Sequence, residues 1–148
     1  LFRSLAVGSG LFVAVPSAGA SQEAGSGGSN ANGAGIGVAP AISAGGAHTC
    51  GLYATGRVKC WGSNVFGKLG DASFTNSSTP VSVVVLGTAV AISAGASHTC
   101  AVKADGTAAC WGANSFGQLG NGGFTTKTTP VTVVGLTNAV AISTGNDF

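Results

Sequence analysis

Residues 41–70 read AISAGGAHTCGLYATGRVKCWGSNVFGKLG, and residues 91–120 read AISAGASHTCAVKADGTAACWGANSFGQLG. Set in register without a gap, 41–90 and 91–140 are identical at more than half of their positions, and a third copy opens at Ala141 with AISTG. An internal period of this length marks a repeat architecture, in which each copy is one supersecondary unit and neighbouring copies bury a shared core. Within a copy the period is two. His48 to Tyr53 and Arg57 to Trp61 flank Ala54-Thr55-Gly56, and Ala104-Asp105-Gly106 occupies the same place in the second copy. A three-residue hairpin loop wants glycine at its left-handed position, which is where Gly56 and Gly106 fall. Val81-Ser82-Val83 and Val131-Thr132-Val133 alternate apolar and polar, and Val83 to Leu86 run continuously apolar, which predicts a strand buried on both faces. Each copy therefore supplies a tight hairpin, a glycine-rich connection and further short strands. Four short strands in about 40 to 50 residues is the size of one propeller blade, so the predicted fold class is all-β, built of antiparallel four-stranded blades.

The recurring anchors are SAG followed by HTC, a glycine at the hairpin, CWGxNxFGxLG and TPV. This combination is similar to the repeats of the regulator of chromosome condensation family, and it covers residues 40–148, as copies 41–90 and 91–140 and a partial 141–148. The resemblance implies a β-propeller that has seven blades in complete members. Two copies cannot close such a ring, so the chain reads as a piece of a longer product, with the remaining repeats as its first partners. The resemblance also implies that sequence repeat and structural blade are offset, so that these residues build one whole blade and parts of its neighbours.

Outside the repeats, Leu5 to Val15 form an apolar run preceded by Arg3 and followed by Pro16 and Ala18-Gly19-Ala20. This fits an export signal over 1–20 cut after Ala20, and the run is too short and glycine-rich to span a membrane. Residues 21–39, rich in Gly, Ser, Ala and Asn without periodicity, read as a flexible linker. Gly25 to Gly28 lack the preceding strand and following helix that a phosphate-binding loop requires. Only 7% of residues are charged, and the six basic ones are scattered, which excludes a nucleic-acid-binding stripe. The expected location is secreted or cell-surface.

The anchors carry packing roles. Trp61 and Trp111 read as blade core or blade-to-blade packing, with Gly62 and Gly112 beside them admitting a neighbouring sheet; Phe66, Phe74, Phe116 and Phe124 read as core in the same way. Gly67, Gly70, Gly117 and Gly120 are placed where a turn demands positive φ. Pro80 and Pro130 fix an extended approach to the next strand. His48 and His98 are expected to pack at the blade surface and hydrogen-bond a neighbouring turn. Cys50 and Cys60 face each other across a hairpin with a three-residue loop, as do Cys100 and Cys110. An even cysteine count behind an export signal favours disulfides; buried free thiols are the second reading. A metal site with the neighbouring His is the third, and it lacks a fourth ligand in the copy.

No catalytic, cofactor or metal site is expected. Ser97 and His98 are adjacent on a strand and point to opposite faces, so they cannot act as nucleophile and base. Asp71 and Asp105 read as turn formers. The expected function is a non-catalytic, exported interaction or scaffold region that binds a protein or glycan at the propeller face. The stretches that vary between copies, 51–59 with 101–109 and 71–78 with 121–128, are the candidate contact surface. The alternative implied by the resemblance is a guanine-nucleotide exchange factor associated with chromatin, like the member that names the family. That activity depends on an inserted wedge and basic arms, and neither appears in these uninterrupted copies.

Overall fold

The computed structural model describes residues 38–146. The export signal expected over 1–20, the expected linker before Val38, and residues 147–148 lie outside the described residues. Eight strands follow in order: β1 (Ala41–Ala44), β2 (His48–Leu52), β3 (Val58–Gly62), β4 (Ser77–Ser82), β5 (Ala89–Ala94), β6 (His98–Lys103), β7 (Ala108–Gly112) and β8 (Lys127–Thr132). They form two antiparallel four-stranded sheets in sequence order, β1 to β4 and β5 to β8, with no helix among the described residues. These are two whole blades, not the one whole blade expected from an offset repeat. The reason is that β1 to β4 all fall inside the first copy, while β5 begins at Ala89, just before the second copy opens.

The hairpins form as the loop length requires. Tyr53 N–H donates to Arg57 O at 2.9 Å and Gly56 N–H to Tyr53 O at 2.8 Å, with φ of 77° at Gly56 and 79° at Gly106. Closing the loop on that bond makes Cys50 and Cys60 a directly opposed pair. Counting along the ladder from Tyr53 and Arg57, this pair is one that exchanges no hydrogen bonds, where strands approach most closely. The Cα atoms are 4.1 Å apart in both pairs, and Cys50–Cys60 and Cys100–Cys110 are disulfides. Bonded sulfurs are no longer thiolates, which removes them as metal ligands.

Most of the core lies between the blades. Cys50, Leu52, Val58, Cys60, Leu69 and Leu86 of the first blade meet Ala89, Ile92, Ala101, Ala109 and Trp111 of the second, and Val38 joins them from the end of the linker. The packing is close enough to need glycine. A Cβ on Gly45 would collide with Gly95 O and lie 2.6 Å from His48 Cε1. At Gly62 and Gly112, by contrast, the close neighbour is the blade's own turn: Ala47 O lies 2.6 Å from a Cβ at Gly62, and the strand bulges there with φ of 109°. The neighbouring sheet expected at these glycines is elsewhere.

Two strand predictions are corrected. Val83 to Leu86 is not a strand. Val83 N–H makes the last bond to the sheet, at Val58 O, and Val84 N–H then turns to Gly70 O as the chain leaves for β5. Leu86 is buried but Val85 is 87% exposed, so the apolar run records a turn across the blade end. Pro80 and Pro130 sit within β4 and β8 rather than ahead of a following strand. Both strands are outermost in their sheets, where a missing N–H costs no ladder bond if it faces away from the sheet.

Candidate functional site

Antiparallel neighbours send alternate connections to opposite ends of a blade. The β1–β2 turn and the long β3–β4 connection (63–76) emerge at one end, with their counterparts 113–126. The hairpin loops and the β4–β5 connection (83–88) emerge at the other. The variable stretches 51–59 and 71–78 therefore lie at opposite ends of the blade and do not form one contact surface.

The long connections are organised from within by Asn64 and Asn114, both fully buried. Asn64 Oδ1 accepts Leu69 N–H at 2.9 Å, and its Nδ2 donates to Asp71 Oδ1, Ser73 O and Ser73 Oγ. Asn114 repeats this with Leu119 N–H at 3.0 Å, Asn121 Oδ1, Gly123 O and Thr125 O. Gly67, Gly70, Gly117 and Gly120 turn the same connections with φ of 71°, 71°, 77° and 60°, as predicted. Asp71 takes Ser73 N–H and hydroxyl, and Asp105 takes Thr107 N–H and hydroxyl, so both acids are turn formers. Those bonds to Thr107, with Lys103 nearby, hold the Asp105 carboxyl below its ordinary value.

With Asn64, Leu69, Asn114 and Leu119 filling the inside, the aromatics stand outside. Phe66, Phe74, Phe116 and Phe124 are all exposed, at 43 to 77%, and Val65 beside them at 61%. Their reading as core is corrected: an asparagine that satisfies four or more backbone and side-chain partners holds the loop closed without an aromatic plug. An Asn114→Ala substitution leaves the buried Leu119 N–H without its acceptor. The expected cost is about 2 kcal/mol, read as a lower denaturation midpoint with an unchanged slope.

The histidines and tryptophans act at the seam between blades. His48 is buried, and its Nε2 lies 2.7 Å from Thr99 Oγ1 on β6 of the next blade. Thr99 Oγ1 donates its one proton to Lys68 O at 2.9 Å, so His48 Nε2–H is the donor and its buried Nδ1 is a bare acceptor with no partner. Trp111 Nε1–H donates to the same Lys68 O at 2.9 Å. Burial, then Lys68 and His98, lower the His48 pKa to about 4. His48 is thus inside the seam and bonded to a strand hydroxyl, not at the blade surface and bonded to a turn. His98 is equally buried. Trp111 is fully buried, whereas Trp61, with no blade before it among the described residues, is half-buried. Lys68 itself is buried, donates only to Ala96 O at 3.3 Å, and is held below the ordinary lysine pKa by that burial. Ser43 Oγ accepts Ala94 N–H and Ser93 Oγ accepts Thr144 N–H, each bond spanning the seam to the next copy.

Two family models described as regulator of chromosome condensation (RCC1) repeat match the chain. One covers 41–68 and 89–118, and the other covers 55–102 and 105–148. The chain belongs to the RCC1 repeat family. No curated protein matches it. Among solved structures it is similar to human WBSCR16, with TM-score 0.55, 23% identity and coverage of 62% of this chain and 24% of that one. It is also similar to Prp20p of Saccharomyces cerevisiae, whose structure was described with its binding to Gsp1p and histones. There the TM-score is 0.56, the identity 21%, and the coverage 67% and 26%. A third match is yeast RCC1 (Prp20) bound by Kap60, with TM-score 0.51, 24% identity and coverage of 62% and 24%. The RCC1 repeats here span about a quarter of the length of each of these chains, and the likeness establishes the propeller fold.

Proposed function

We propose that the chain is a non-catalytic, exported interaction module that docks a partner protein on the end of its blades bearing connections 63–76 and 113–126. The observation that carries this reading is the set of four phenylalanines and Val65 exposed there. Scattered apolar residues need no explanation, but a phenylalanine pair repeated on the same connection in both copies does. Aromatic side chains give large contact area at low entropic cost and are enriched at protein interfaces. Charge does not compete: Lys68 is buried and Asp71 is engaged by Ser73. Disulfides in both blades fit an oxidising compartment, which supports export together with the apolar N-terminal run. The binding to Gsp1p and histones named for Prp20p supports the use of such a propeller as a docking surface, in a chain of which the matched region here covers 26%.

The test is site-specific photo-crosslinking in the cells that make the protein, with the probe at Phe116 and, as control, at the exposed hairpin residue Thr55. Crosslinks to a protein from Phe116 and not Thr55, weakened at least tenfold by Phe66→Ser with Phe124→Ser, are expected. Crosslinks from Thr55 alone would overturn the choice of end. Acceleration of nucleotide release from a GTPase by the purified chain would overturn the reading in favour of exchange activity.

A further inference from the structure

We propose a second site at the opposite end of the first blade: the recess between the first hairpin and the β4–β5 connection takes a carboxylate flanked by aliphatic groups, as an acidic peptide segment presents. This site is independent of the aromatic end and goes beyond the docking reading given above. The recess has a volume of about 280 Å³, walled by Val58, Val83, Val85 and Leu86 with Arg57 and Ser82 at its rim. That is below the size of sites for whole small-molecule ligands and suits one side chain with its neighbours.

Three observations converge on it. Arg57 is exposed and without a carboxylate partner, since the sole ion pair among the described residues is Lys103 with Asp105. Val85, Leu86 and Gly87 line the recess, and their amide N–H groups make no backbone hydrogen bond among the described residues.

The third observation is strain. Val85 has φ of 50° while 87% exposed, and a β-branched side chain in the left-handed region is held there only against a steric penalty. The second blade shows what the fold alone requires: Gly135 takes the place of Val85 with φ of 73°, and Thr107 takes the place of Arg57, its hydroxyl bonded to Asp105. The first blade thus carries both departures from the relaxed arrangement, on the two sides of one recess. A planar guanidinium pairs with a carboxylate through two parallel bonds. Aliphatic walls and a lone hydroxyl suit the methylenes and neighbouring side chains of such a peptide better than a phosphate.

The test titrates the oxidised, isotopically labelled 148-residue chain with acetyl-Leu-Glu-Leu-amide while following backbone amide resonances. Saturable shifts at Arg57, Val85 and Gly87 are expected, absent with acetyl-Leu-Gln-Leu-amide. Arg57→Thr should weaken binding at least tenfold, and Val85→Gly should weaken it while keeping the fold, because each installs the residue the second blade already holds. Equal binding of the glutamine peptide, unchanged binding by Arg57→Thr, or displacement of the peptide by inorganic phosphate more readily than by acetate would each overturn the proposal.

Discussion

Loss of both disulfides is expected to lower the stability of the two-blade unit by about 5 kcal/mol, the largest effect of any chemical change that leaves every side chain in place. Each bridge closes a loop with a sequence separation of 10, and in the chain-entropy account a loop of that size restricts the unfolded chain by about 2.7 kcal/mol. The two loops do not overlap, so their contributions add. Cys50 and Cys60 are fully buried at the inter-blade core, and Cys100 and Cys110 nearly so, which keeps a reductant out until the strands part. Treatment of the folded chain with a reductant should therefore act slowly, at the rate of opening, whereas refolding from denaturant under reducing conditions should show the full loss at once. Denaturation midpoints of the oxidised chain, the reduced chain and the paired Cys50→Ala, Cys60→Ala variant check this. Coincident midpoints would show that strand pairing alone holds the hairpins closed.

The hairpins were legible because the signal was local: a three-residue loop with glycine at its third position sets the register, and the register sets the cysteine pairing. The blade repeat was legible because identity recurs at a fixed spacing. What hydrophobicity misjudged was direction. The four phenylalanines and the run Val83 to Leu86 are apolar, yet they lie on connections whose insides are filled by other residues, Asn64 and Asn114 in one case and Leu86 alone in the other. Buried asparagine is the less common choice for a loop core, and its recurrence at the same place in both copies, within CWGxN, was the one signal that could have revealed it. The seam was hidden for a different reason. His48 finds Thr99, Ser43 finds Ala94 and Ser93 finds Thr144, all at a separation of 51, one residue more than the repeat. That offset is set by how one blade leans on the next, which no pattern within a single copy encodes.

The same seam predicts acid sensitivity. Above pH 6.5 His48 is neutral in both folded and unfolded chains, and its contribution to stability is constant. In the folded chain its pKa is about 4, because the ring is buried and faces Lys68 and His98, while in the unfolded chain it returns to 6.5. As pH falls from 6.5 to 4 the unfolded state takes up the proton first, so stability falls across that window, by about 3 kcal/mol in all. Below pH 4 the folded chain is protonated too and the loss levels off. The structural reason lies in the proton arrangement: Nε2–H is engaged by Thr99, so the added proton must go to Nδ1, which has no acceptor facing it. Asp105 also has a lowered pKa and loses stability in the same direction, but at pH values below the ordinary carboxylate range, which separates the two steps. A His48→Gln variant keeps a donor toward Thr99 and removes the titration. It should flatten the stability profile between pH 6.5 and 4, whereas Asp105→Asn should leave that window unchanged. Urea melts at half-unit pH intervals read the difference, and a wild-type profile flat down to pH 4 would show that the seam opens to water before the ring takes its proton.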